Sequence, residues 1–110
     1  MNYQLKKKIN ELFKPNKKNC FIVAEISANH DKNINNVIKI INNANKIGID
    51  AVKVQLYKPD KITINSNKKD FKIKKNNSWA GYNNLYNLYK KGSTPYNWYP
   101  KLLKLCNKKK

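Results

Sequence analysis

The chain contains no arginine. All 24 basic residues are lysines, set against six acidic residues, which gives a formal charge of +18 over 110 residues. Such a charge would point to nucleic acid or an anionic surface as partner. Arginine, however, is the residue suited to bidentate bonds with phosphates and base edges, and its absence argues against a dedicated nucleic-acid surface. The lysines are scattered apart from runs at 6–8 and 108–110, and asparagine and isoleucine are plentiful beside them, as an AT-rich coding bias would produce. We read a solvated basic surface, with non-specific, salt-dependent binding of nucleic acid as the lesser alternative.

Histidine and cysteine are almost as scarce. His30 is the only histidine and cannot form a metal site alone, because such sites need two or three protein ligands. Cys20 and Cys106 lie far apart without metal-type spacing, so reduced thiols in a cytoplasmic setting are the simplest account. No run approaches the roughly 20 apolar residues that cross a bilayer, and no signal-type apolar segment follows the lysines at 6–8. The composition leads us to expect a soluble, cytoplasmic protein of one small domain at most, with a modest core.

Against this polar background two short segments stand out. Residues 20–26 and 51–56 are apolar and rich in β-branched side chains, as strands are. Between them Ile34, Val37, Ile38, Ile41, Ala44 and Ile47 recur at spacings of three and four, one face of an amphipathic helix. Asp31 or Asn33 is available as its N-cap, and Gly48 stands where a C-terminal glycine belongs. Strand, helix and strand predict a right-handed βαβ unit with parallel strands.

The flanks are less regular. Residues 3–13 carry Leu5, Ile9, Leu12 and Phe13 at helical spacing and stop before Pro15, and 16–19 reads as a loop. From 58 to 78 the chain is polar, with short strands expected at 62–64 and 71–73; a connection that long inside a domain is usually functional. A helix is expected over 82–90, with Leu85, Leu88 and Tyr89 on one side. Thr94 and Pro95 offer an N-cap and first-turn proline for a helix over 95–107 that buries Trp98, Leu102 and Leu105. Trp79 and Tyr96 fall in loops where they could line a sugar pocket.

The chemistry lies in the strands. Parallel strands are normally buried on both faces, where a charge is costly unless it is paired or used. Yet Glu25 interrupts the first apolar run, and Lys53 and Gln55 the second. Alternation sets Lys53 and Gln55 on one face and Val52 and Val54 on the other. Glu25 belongs near the same end of the neighbouring strand, and ligands of α/β folds bind outside the carboxyl ends of strands. A lysine there suits a phosphate or carboxylate, and a glutamine suits a sugar hydroxyl or carbonyl. A glutamate can hold a hydroxyl or move a proton. Asn29 and His30 follow the first strand in a loop on that end. The competing account is a Glu25–Lys53 ion pair that only satisfies itself.

Ordered motifs carry a resemblance: Ala24 to His30, Gly48 to Tyr57, Pro59-Asp60, Asp70 to Lys74, Trp79, Leu85 to Tyr89, and Thr94 to Trp98. On these the chain resembles the amino-terminal part of the sialic acid synthase family, and its pseudaminic acid synthase branch most closely. Neuraminate-type members typically have glycine where Ser27 stands.

The resemblance implies a (β/α)₈ TIM barrel, here incomplete at about two βα units. It places 20–107 in the barrel, with 1–19 as an extension and 108–110 as a basic tail. It implies condensation of phosphoenolpyruvate with an N-acetylated amino sugar to a nonulosonic acid, in a protein that forms homodimers when complete. A divalent metal, Mn²⁺ or Mg²⁺, would polarise the sugar aldehyde, on ligands that this chain does not contain. By the same resemblance Lys53 binds phosphoenolpyruvate, Glu25 is the acidic group at the aldehyde, and Gln55, Asn29 and His30 contact substrate.

Two departures concern loops. Asp31-Lys32-Asn33 stands where the family usually has a glycine for a tight turn, and Lys75-Asn76-Asn77 stands where relatives have paired glycines. The chain also stops after about two units, so a truncated or split product, inactive alone, is expected. Alternatives are an N-acetylneuraminate synthase-type member, a non-catalytic remnant, or a basic nucleic-acid-binding protein.

Overall fold

A computed structural model describes residues 7, 10, 11 and 20–109. The best-specified element is the helix α1, Ile34–Lys46. Asn33 caps it, its side chain accepting the Asn35 N–H at 3.0 Å. At the other end Gly48, at φ +81°, reverses the chain. The Gly48 N–H donates to Asn45 O at 3.2 Å, and the Ile49 N–H to Ala44 O at 2.9 Å. That pair of bonds is the Schellman arrangement, and it needs the left-handed conformation glycine adopts without penalty. Of the predicted apolar face, Val37, Ile41 and Ala44 are buried. Ile47, at the cap itself, has turned out to solvent and is 74% exposed.

Strands β1 (Val23–Glu25) and β2 (Ala51–Lys53) pair in parallel, with Val23 opposite Ala51, Ala24 opposite Val52, and Glu25 opposite Lys53. The Ala51 N–H to Ile22 O and the Ile26 N–H to Lys53 O, at 3.2 and 2.9 Å, extend the ladder at both ends. Both strands are shorter than the runs at 20–26 and 51–56 suggested. Past Lys53 the chain leaves β1, and Gln55 O accepts the Thr94 N–H instead, at 2.9 Å.

Further on come single 3₁₀ turns at Pro59–Lys61 and Lys69–Phe71, helix α2 (Leu85–Gly92), another 3₁₀ turn at Tyr96–Trp98, and helix α3 (Tyr99–Asn107). Ile26, Val37, Ile41 and Leu102 form the core, with Val52, Val54, Trp98, Leu105 and Cys106 packed against it. Helices α1 and α3 therefore cover the Val52 side of the sheet.

The other side is open. Val23 is 47% exposed, and Glu25 and Lys53 share that face. Parallel strands are normally buried on both faces, but about two units of a barrel leave the inner face uncovered: among the described residues nothing covers it, so charged side chains there keep their water.

Three smaller corrections concern caps and connections. Segment 62–64 is not a strand, and 71–73 contributes one antiparallel bridge, Lys72 to Asn84. Helix α2 starts at Leu85 because Asn84 caps it, its side chain accepting the Asn87 N–H at 3.0 Å. Thr94 and Pro95 precede the 3₁₀ turn, and Pro100 supplies the first-turn proline of α3. The helix expected over 3–13 lies outside the described residues except for Lys7, Asn10 and Glu11, which are helical.

Candidate site at the carboxyl ends of the strands

The parallel register brings Glu25 and Lys53 side by side where both strands end. Lys53 Nζ lies 2.6 Å from Glu25 Oε2. The Ser27 N–H donates to the other carboxylate oxygen, Oε1, at 3.1 Å. Lys53, and to a lesser degree the Ser27 N–H, hold the Glu25 carboxyl below the usual carboxylate range. The pair is exposed, 65% for Lys53 and 37% for Glu25, and an exposed pair is weak and readily exchanged. An arriving anion can therefore recruit Lys53 without a large energetic loss. Gln55 is half-buried two residues beyond β2, and Asn29 is exposed in the loop after β1.

That loop has an unusual backbone. Ser27, Asp31 and Lys32 sit at φ +51°, +46° and +55°. Left-handed geometry costs a non-glycine residue about 1–2 kcal/mol, so contacts outside the loop must hold it. They come from the end of α2. Lys32 Nζ donates to Ser93 O, and to Ser93 Oγ at 3.1 Å. Lys91 Nζ meets Asp31 Oδ1 at 2.5 Å and holds that carboxyl below its usual range.

His30, predicted as a side chain facing a ligand from a loop, lies inside and is 0% exposed. Its Nε2 is 3.2 Å from Gly92 O, its Nδ1 accepts the Lys32 N–H at 3.0 Å, and its ring stands edge-on to Trp98 at 5.6 Å. Burial pushes its pKa below the ordinary value; Lys32 and Lys91 add to this, while the Gly92 carbonyl and Asp31 oppose it. Both nitrogens are committed to the protein, so the direct substrate contact expected of His30 is not what this arrangement provides.

Gly92 and Ser93 form a supporting wall that no sequence signal marks, and Thr94, expected as a helix N-cap, belongs to it. A Cβ on Gly92 would lie 3.1 Å from Tyr57 Oη and 3.6 Å from Ala28 Cβ, so glycine permits the close approach of α2 to both strand ends. Thr94 is 1% exposed and its hydroxyl oxygen has no hydrogen-bond partner among the described residues.

The long connection is tethered as well. Asn84 Nδ2 donates to Asn65 Oδ1 and Asn67 Oδ1 at 3.3 and 3.1 Å, and Tyr86 Oη donates to Asp60 Oδ1 at 3.0 Å. Trp79 and Tyr96 are both exposed, with Tyr96 Oη donating to Leu56 O at 3.4 Å. Cys20 and Cys106 are free thiols. Among the described residues no group of three His, Cys, Asp or Glu side chains is placed to hold a metal ion.

Comparison with known proteins matches residues 40–110 to the model of the NeuB family. Pseudaminic acid synthase of Campylobacter jejuni (strain NCTC 11168) is 45% identical over 85 residues, 77% of this chain and 24% of that protein. Pseudaminic acid synthase of Helicobacter pylori (strain 26695) is 40% identical over 87 residues, 79% of this chain and 25% of that protein. The chain thus spans about a quarter of the length of the curated relatives it matches.

Proposed function

Because the chain belongs to the NeuB family, we propose that it supplies the amino-terminal part of the (β/α)₈ barrel of a pseudaminic acid synthase-like enzyme. Residues 20–107 form that part, 1–19 an extension before it and 108–110 a basic tail. The reaction joins phosphoenolpyruvate to a 2,4-diacetamido-trideoxy hexose with release of phosphate. The carrying observation is the Glu25–Lys53 pair, set by register on the uncovered face at the carboxyl ends of two parallel strands. Further strands of a barrel would pair with the free edges and enclose this face.

In this reading Lys53 gives up its contact with Glu25 to neutralise phosphoenolpyruvate. Glu25, held ionised by its neighbours, accepts a hydrogen bond at the sugar aldehyde end. Gln55 and Asn29 orient the sugar hydroxyl and amide groups. His30 acts from beneath the loop that carries Asn29 and does not touch the ligand. A divalent metal bound elsewhere in the protein would polarise the aldehyde; the described residues do not fit one, and no step here passes through it.

No described helix is long and apolar enough to cross a membrane. We place the enzyme in the cytoplasm, as a homodimer. The test is phosphate release from phosphoenolpyruvate, sugar and Mn²⁺. The 110-residue chain alone gives none, and addition of the remaining barrel restores it. Lys53→Ala then lowers turnover by about 10²-fold or more, the scale of losing one preorganised charge in an active site. Turnover by the chain alone, lost in Lys53→Ala, would overturn the reading.

A further inference from the structure

We propose that His30 is a positioning residue: a neutral imidazole clamp that locks the loop from Ser27 to Lys32 against Gly92 and Ser93, and so fixes Glu25 and Asn29 at the strand ends. Only the last clause rests on the enzymatic reading above; the clamp is a property of this chain.

The two ring nitrogens have opposite tasks. Nδ1 faces the Lys32 N–H and must accept, whereas Nε2 faces the Gly92 carbonyl and must donate. One protonation state meets both demands, the neutral ring with its hydrogen on Nε2. A second proton on Nδ1 would point at the Lys32 N–H and break that bond. Of the charged groups around the ring, Lys32 and Lys91 oppose the second proton and only Asp31 favours it. Lys32 and Asp31 come from its own loop and Lys91 from α2, and the single carboxylate among them is already paired with Lys91. Trp98, from the turn before α3, contributes an aromatic ring and no charge.

The loop depends on this clamp because its own backbone does not favour the shape it holds. Three non-glycine residues in six are left-handed; besides Asn36 Nδ2 of α1, which donates to His30 O at 3.2 Å, the side-chain tethers run to one short stretch, Lys91 to Ser93. His30 is the fully buried member of that set. The effect reaches the site through short links. Ser27 donates its N–H to Glu25, the Asn29 N–H donates to Ile26 O at 3.1 Å, and the Asn33 N–H donates to His30 O at 2.8 Å. Releasing the ring frees both ends of the segment that carries Asn29.

In the open loop His30 regains its ordinary pKa of about 6.5. Below that pH the open form takes up a proton that the closed form refuses, so opening grows by up to about tenfold per pH unit. Hydrogen exchange of the 110-residue chain from pH 7.5 to 5.5, corrected for intrinsic rates, reads this directly. Peptides spanning 27–33 should be protected at pH 7.5 and lose protection with that slope, while α1 does not follow. In His30→Gln, whose amide can donate to Gly92 O but does not titrate, loop protection should be independent of pH.

Ring ¹⁵N shifts of the wild-type chain at pH 7.5 give a second readout that needs no variant: hydrogen on Nε2, none on Nδ1. An unprotected loop at pH 7.5, a slope of zero in the wild type, the same slope in His30→Gln, or a hydrogen on Nδ1 would each overturn the clamp. None of these measurements uses substrate. An intact clamp in a protein that never condenses phosphoenolpyruvate would count against the enzymatic reading alone.

Discussion

Gly48 and Ser27 occupy the same region of backbone space with opposite chemistry, which makes them a reciprocal pair. Gly48 is at φ +81° and a Cβ built there meets none of the described residues within 4 Å. Gly48→Ala therefore introduces no clash, and its whole cost is conformational. A left-handed alanine costs about 1–2 kcal/mol, and the stiffer unfolded chain returns about 0.4–1 kcal/mol. The net is a loss of about 1 kcal/mol, or roughly a fivefold increase in local opening. Ser27 at φ +51° is the mirror case. Ser27→Gly keeps the backbone N–H that Glu25 Oε1 accepts and removes the strain, for a gain of about 0.5–1 kcal/mol. Hydrogen exchange at Ile49, whose amide closes the α1 terminus onto Ala44 O, and at Ser27 reads each change locally. The expected result is faster exchange at Ile49 in Gly48→Ala and slower exchange at Ser27 in Ser27→Gly. Unchanged exchange in the first variant together with faster exchange in the second would refute the reasoning.

Asn84→Ala should cost about 2–3 kcal/mol, the sum of a lost N-cap and two amide hydrogen bonds at a buried position, and should expose Lys68 and Lys69 to a lysine-specific protease. Asn84→Ser, which can still cap, should fall between; equal cleavage in all three chains would mean that the asparagine cluster does not hold the connection. The Glu25 carboxyl is held low first by Lys53 and then by Ser27, so its charge persists as pH falls through the ordinary carboxylate range and is lost only at the depressed value. Lys53→Ala should move its midpoint, followed by carboxyl ¹³C shift, upward towards an ordinary glutamate, and an unmoved midpoint would show that the ion pair does not form in solution.

The βαβ unit was legible because its signals are local. The period of Ile34, Val37, Ile41 and Ala44, the Asn33 cap and the Gly48 terminus each act within a few residues of the helix. Alternation along β2 was enough to separate Lys53 from Val52. What escaped the sequence depends on distant partners. His30 reads as a polar loop residue in a run of asparagine, aspartate and lysine, yet Gly92, 62 residues away, and Trp98 draw it inside. Thr94-Pro95 and Pro100 both carry helix-start chemistry. The choice fell to Pro100 because Thr94 is held by Gln55 O, which keeps the chain extended through Pro95.

The central claim is that Lys53 and Glu25 of this chain serve a phosphoenolpyruvate-condensing site. Its most direct test is a chimera in which the matching segment of the Campylobacter jejuni synthase, 45% identical over 85 residues, is replaced by the corresponding residues of this chain. Turnover of phosphoenolpyruvate and the diacetamido sugar is then followed by phosphate release. The account predicts a chimera that releases phosphate and forms the nonulosonic acid, and a Lys53→Ala version, equally folded, that loses both. A folded chimera without turnover, or one whose turnover survives Lys53→Ala, would contradict it.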